Sequence, residues 1–420
     1  MTKIGLALQN CAPLAGPRLL AAMAFVGVFA RGWVNLAYAL LAAWGLLFWA
    51  AGSRLPRRPC PPLPRAWAWG AAIFAGTCLL ASLAGGDPWR SLRHTGTMLY
   101  LLAAFPLTWL ALSQKPETSR VLPTLWALGL AVSAVIVLRQ AGWTLACIRA
   151  KSHLGVIELG AVLGQLTPVM VGALALALKK GDRRRVALHL ASLAAAAVCL
   201  AVSCSRIGLI AAAALSALTL AVNWRSLSRR VRLAALLLAG AAALGTTLND
   251  DVFVRFAEMT ESQGNFSNDV RYSLWRHGWR SFLQHPILGA GPDAVPSPSP
   301  ELLPRRHDGS LIQLGPYTGA HQIPATVLAE SGLVGFLGFL ALHLAPLWAL
   351  GRRLRSPDPE TFFWAWAAVA VAGQLALNGL IDQVFGLKPL MYIYWCVTAT
   401  ALWLPRQRAA EALRSSASAR

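Results

Sequence analysis

His321 is the residue of this chain best placed for proton transfer. It lies in Gly319-Ala320-His321-Gln322, where the one long polar segment, roughly Asn249 to His321, meets an apolar run able to cross a bilayer. Pro324 suits the first turn of the helix that follows, where its missing N–H costs no hydrogen bond. That puts the imidazole at the positive end of a helix, which disfavours imidazolium and attracts anions. A neutral histidine beside an anion site can act as general base on a phosphate-linked substrate. It can equally do no more than hydrogen-bond the helix end.

Two arginines could supply the anion site. Ser267-Asn268-Asp269 reads as an N-cap opening a helix to about Gln284, with Arg271, Trp275, Trp279 and Phe282 on one buried aromatic face. Arg271 there is either a stacked structural residue or a fork for phosphate. Arg276 and Arg280 fall on a neighbouring face, where solvated charge is expected. Arg206, in Ser203-Cys204-Ser205-Arg206-Ile207-Gly208, stands at a tight turn before an apolar helix, so it either snorkels or points into a polar cavity. Glu330 falls on the face of its helix opposite His321, and Gly332 and Gly335 fall on the His321 side, where they would allow a close helix contact. His285-Pro286 and the glycines Gly289 and Gly291 read as a helix end and a turn. The polar stripe Gln374/Asn378/Asp382 reads as interhelical hydrogen bonding, with cavity lining second.

The elements that must position these residues are membrane helices. The chain has 420 residues, 56% hydrophobic and only 13% charged, against about 25% charged in soluble domains. Spans are expected near 14–30, 33–51, 66–84, 95–113, 121–139, 155–178, 186–203, 206–222, 233–248, 323–349, 361–381 and 389–404, twelve in all. The first is read as an uncleaved helix rather than a signal peptide. The net charge of +21 would suggest nucleic acid in a soluble protein. Here the basic residues cluster in alternate connections and the C-terminal tail, which by the positive-inside rule makes that side, with both termini, cytoplasmic. The expected organisation is a membrane domain over 1–248, a periplasmic loop over 249–322 and a membrane domain over 323–420. Arg90, Arg93, His94, Arg139, Arg149, Lys151 and Arg206 then fall on the outer side. Either lipid headgroups and acids such as Asp87 and Glu158 hold them, or an anionic substrate does. The seven cysteines show no metal-ligand spacing, and none lies in the long loop.

Taken together, Ser205-Arg206-Ile207-Gly208, Arg271 four residues before Trp275, His285-Pro286 with Gly289 and Gly291, and His321 with Glu330, Gly332 and Gly335 resemble the O-antigen ligase and O-antigen polymerase superfamily. The order, the spacing and the large outer loop before the last three spans match as well. Where the family usually has Asn after the histidine, this chain has Gln322.

The resemblance implies an all-α polytopic protein of the bacterial inner membrane that transfers a glycan from undecaprenyl diphosphate at the periplasmic face. The ligase branch joins O antigen to a sugar hydroxyl of the lipid A core. By position, His321 would activate that hydroxyl and Arg206 and Arg271 would bind the diphosphate. Gln322, Glu330, Arg139 and Arg276 would support them. Inversion at the anomeric carbon is expected, with no metal or other cofactor and no nucleic-acid partner. The rivals are an O-antigen polymerase, a protein O-oligosaccharyltransferase and, from another class, a lipid-linked glycan flippase or transporter. The last would place polar sites at the midplane of repeated halves, and no repeat is visible.

Overall fold

The computed structural model describes residues 3–51, 60–144, 152–224, 227–229, 232, 266–303, 310–311, 319–382 and 385–418. Among these the chain is all-helical, with one isolated bridge between Ala30 and His153. In order the helices are α1 (Lys3–Val26), α2 (Arg31–Ala50), α3 (Arg65–Ala84), α4 (Pro88–Leu102), α5 (Ala104–Gln114), α6 (Thr118–Gln140), α7 (Val156–Lys180), α8 (Arg183–Ser203) and α9 (Arg206–Asn223). Then come α10 (Phe266–Gln284), α11 (Ile323–Leu350), α12 (Pro359–Gly379) and α13 (Lys388–Ser418).

Nine helices among the described residues are long and apolar enough to cross a membrane, with α4 and α5 counted as one, and Pro13–Val26 is a shorter apolar helix. The expected span at 233–248 lies outside the described residues. The expected span at 95–113 needs correction. Its helix starts at Pro88, so Arg90, Arg93 and His94 ride on its first turns rather than in a connection. It is interrupted after Leu102, where Pro106 removes a helical donor and crowds the Leu102 carbonyl.

α13 falls short of the apolar threshold because it faces protein. Every residue from Pro389 to Leu404 is buried. Several of its polar groups are used internally, with Thr398 and Thr400 donating to Tyr394 and Cys396 carbonyls and the Tyr394 hydroxyl 2.8 Å from His343 Nδ1. Tyr392 stacks on Tyr38. A span so enclosed need not be lipophilic, since its exterior is other helices.

Small residues set the close crossings. α3 and α11 touch at Gly70, where a Cβ would come within 2.8 Å of the Ala341 carbonyl, and at Gly338, where one would meet Thr77 Oγ1 at 2.7 Å. α7 and α9 touch where Gly208 faces the Gly160 backbone, a Cβ there falling 2.6 Å from its carbonyl oxygen. Such contacts let helices associate where water exclusion supplies no drive.

α11 is not the unbroken helix its apolar run suggests. Gly332 has φ 61 and ψ −164 inside it, so the ladder is broken in its third turn. The backbone of 286–291 fills the gap. Leu333 and Val334 N–H donate to Pro286 and Ile287 carbonyls (2.9 and 3.2 Å), and Ala290 and Gly291 N–H donate to Ala329 and Glu330 carbonyls (2.9 Å each). A Cβ at Gly332 would collide with the Ile287 carbonyl, and one at Gly289 with the Glu330 backbone. Both glycines also have positive φ, which only they adopt without cost. Gly332 therefore serves loop insertion, not the helix contact expected on the His321 face. The α3–α4 turn clamps the loop from its other side. Gly86 N–H donates to the Ala290 carbonyl (3.3 Å) and Arg90 pairs with Asp293 at 3.0 Å.

Candidate active site

His321 Nδ1 lies 3.0 Å from Asp382 Oδ1. Asp382 follows the end of α12 and is buried, whereas the His321 side chain is 40% exposed. A carboxylate accepts only, so Nδ1 carries the proton of this bond and Nε2 keeps its lone pair for an incoming donor. The pair thus has the orienter–base geometry required for general-base work.

The turn that presents His321 is tied locally. Its φ of 49 lies in the left-handed region, sparsely used by non-glycine residues though histidine enters it more than most. Thr326 Oγ1 accepts from Ala320 N–H (2.9 Å) and donates to the Gln322 carbonyl (2.8 Å), clamping the turn onto the first turn of α11. Gln322 caps the helix by backbone only; its Nε2 donates to the Leu380 carbonyl at 3.3 Å. The amide after the histidine therefore ties its turn to the segment that carries Asp382.

Arg271 is half-buried on α10. The helix packs through Leu274, with Val270 and Trp275 beside it, onto Ala320, Ala329 and Ala325 at the head of α11. That seats Arg271 on the turn of α10 next to the His321 loop. The buried aromatic face expected of this helix is not formed. Its buried residues are Ser273, Leu274, His277, Gly278 and Ser281, while Trp279 is exposed and Trp275 and Phe282 are half-buried. Ser273, Leu274, His277, Gly278 and Ser281 make the protein contact, and Trp279 lies outward as in a membrane-interface belt. The Trp275 indole N–H, on the face of Arg271, is buried without a partner among the described residues. Arg276 is exposed. Arg280 is held by Glu301 at 3.1 Å, and Ser299 first and then Arg280 keep that carboxyl below the usual range.

Arg206 is the first residue of α9 and half-buried. Cys204 ends α8 in a left-handed cap, Ser205 accepts from Gly208 N–H (3.3 Å) as N-cap of α9, and Gly208 packs on Gly160 of α7. Each member of that motif has a local task, and together they aim Arg206 from a fixed helix start. Cys204 is disulfide-bonded, which its spacing gave no hint of. α7 also meets α12, where Gln374 Nε2 donates to the Ala161 carbonyl at 2.9 Å. The start of α9 and the end of α12, bearing Arg206 and Asp382, thus flank α7.

Other expected residues lie elsewhere. Glu330 is buried in the break of α11, its carboxyl facing the Asp293 backbone N–H and flanked by Cys78. Arg139 is exposed in the last turn of α6. Of the outer cations, Arg90 is taken by Asp293, and Glu158 is taken by Arg31 at 3.1 Å. Arg149 and Lys151 lie outside the described residues. Asp382 was visible only as part of a polar stripe, and its role needed the fold.

No curated protein matches the chain. Residues 191–340, which hold Arg206, Arg271, His321, Glu330 and the two glycine pairs, match the family model described as O-antigen ligase. The chain therefore carries, over that segment, the domain of the O-antigen ligase superfamily.

Proposed function

We propose that this protein is the ligase of that superfamily, moving O antigen from undecaprenyl diphosphate to a sugar hydroxyl of the lipid A core. The observation that carries the chemistry is the His321–Asp382 pair at 3.0 Å with its second ring nitrogen open. His321 Nε2 takes the proton of the acceptor hydroxyl, and Asp382 steadies the imidazolium that forms. The acceptor oxygen bonds to the anomeric carbon as the bond from that carbon to the diphosphate oxygen breaks. Attack opposite the leaving group inverts that carbon. Arg206 and Arg271 bind the diphosphate and stabilise the charge it gains. The unpaired Trp275 N–H beside Arg271 supports an oxygen-rich ligand at that place.

The site opens at the ends of α9, α11 and α12 opposite the basic connections, which supports a periplasmic site, a periplasmic 249–322 loop and cytoplasmic termini. Among the described residues no group of three or more His, Cys, Asp or Glu converges, and we read the two guanidinium groups as filling a metal's electrostatic role. Purified enzyme should keep its activity in excess EDTA; loss that magnesium or manganese restores would overturn the metal-free reading.

The deciding experiment is the lipopolysaccharide profile of a deletion strain. Core without O antigen, together with accumulated lipid-linked polymer, is the expected result. Core capped by a single repeat unit would instead identify a polymerase.

A further inference from the structure

On the side of the bundle away from His321, a narrow cleft of about 30 Å³ opens between the ends of α6, α7, α8 and α12. Its rim carries Arg120, Lys180 and Arg185, and Glu360 is buried in its wall. Arg120 and Lys180 lie 3.5 and 3.6 Å from Glu360, ion-pair but not hydrogen-bond distances, and Arg408 takes the same carboxylate at 2.8 Å. Arg408 also pairs with Asp358, and Arg185 with Asp182. Four cations thus meet three carboxylates, and the three rim side chains keep 43–59% of their surface open. At the base of the cleft lies His189, 97% buried by its 3% exposure, with Nδ1 lacking any hydrogen-bond partner. A buried imidazole nitrogen without a partner is a cost that an arriving ligand relieves. Above the rim, half-buried Leu176 continues the wall as apolar surface along the membrane-spanning part of α7, backed by buried Phe363.

We propose that this cleft binds a phosphate group, carried by an anionic phospholipid. The rim arginines and lysine take the phosphate oxygens, His189 supplies a further polar contact beneath them, and an acyl chain lies along Leu176. Only the name of the leaflet, cytoplasmic, rests on the orientation proposed above; the cleft itself does not.

The test is native mass spectrometry of the whole protein in detergent with dioleoyl-phosphatidylglycerol or dioleoyl-phosphatidylcholine. Wild type should retain the anionic lipid selectively. Arg120→Gln with Arg185→Gln should cut that retention about thirtyfold, near-surface cations contributing about 1 kcal/mol each. Arg352→Gln with Arg355→Gln removes equal charge from another basic cluster on the same side and should leave retention unchanged. His189→Leu, checked for folding by its melting temperature, should also weaken it. Equal losses from both arginine pairs would show diffuse surface attraction and overturn the site, as would no retention by wild type. In a parallel arm, inorganic phosphate is added without lipid and the melting temperature read. Stabilisation by phosphate alone that needs Arg120 and Arg185, with no gain from the lipid, would keep the phosphate site and overturn the lipid.

Discussion

The two ends of the bundle treat charge in opposite ways. At the Glu360 end, cations converge on buried carboxylates, and Arg408 ties the C-terminal helix to α12 through Asp358 and Glu360. At the His321 end, Asp382 pairs with a histidine, and among the described residues no ion pair joins Arg271 to a carboxylate. Arg90 and Arg280, which do have acids, hold loop segments in place. Acids at one end therefore stabilise the assembly, and at the other they either orient a base or fasten the loop. Variants at the two ends should separate rate from stability.

The largest effect is expected at His321. A positioned base is worth about 10²–10⁴ in rate, so His321→Ala should lose that much single-turnover transfer in detergent while its melting temperature stays near wild type. A stable and fully active His321→Ala enzyme would leave the arginines and proximity to carry the reaction. Arg206→Ala and Arg271→Ala should each cost about 10²–10³, the scale of one lost charge-stabilising donor. Lysine should rescue poorly because it lacks the planar fork, and Arg276→Ala should do far less. Equal losses at all three arginines, at matched protein levels, would erase the contrast drawn for α10. Asp382→Asn keeps the size but lets the ring take the wrong tautomer, so a drop of about 10–10² in rate is expected. If it lowers thermal stability and leaves the rate per folded molecule intact, Asp382 belongs with the structural acids.

The Glu360 end gives the converse. Glu360→Gln leaves Arg120 and Lys180 without their carboxylate, Arg408 keeping Asp358, and should cost about 1–2 kcal/mol, below the buried-pair range because solvent screens them. Its rate per folded molecule should hold. A Glu360→Gln enzyme that is stable and slow would couple the two ends and contradict the separation.

Much of this was readable before any fold. Arg206, Arg271 and His321 were singled out as candidates from their neighbours in sequence, because turns, caps and glycines are local. Asp382 could not be assigned to His321, since 61 residues separate them and nothing local sets the relative heights of two helix ends. The face of α10 was misread because large aromatics imply burial in water but also mark a membrane interface, and only Ser273, Gly278 and Ser281 reveal the packed side. The break at Gly332 was hidden by its apolar surroundings. Hydropathy averages over the very residues, Glu330-Ser331-Gly332, whose backbone leaves the helix.

That break bears on how the protein is made. A helix interrupted in its third turn leaves four backbone groups without internal partners, and hydrocarbon offers none. The 286–291 segment that satisfies them precedes α11 in the chain, so it is already synthesised when α11 emerges. The head of α11 should therefore lodge only after that segment has docked, making the last three spans late to settle. A ribosome-stalled chain ending past Leu350 but lacking 286–291 should leave 323–331 open to protease while 333–350 is protected.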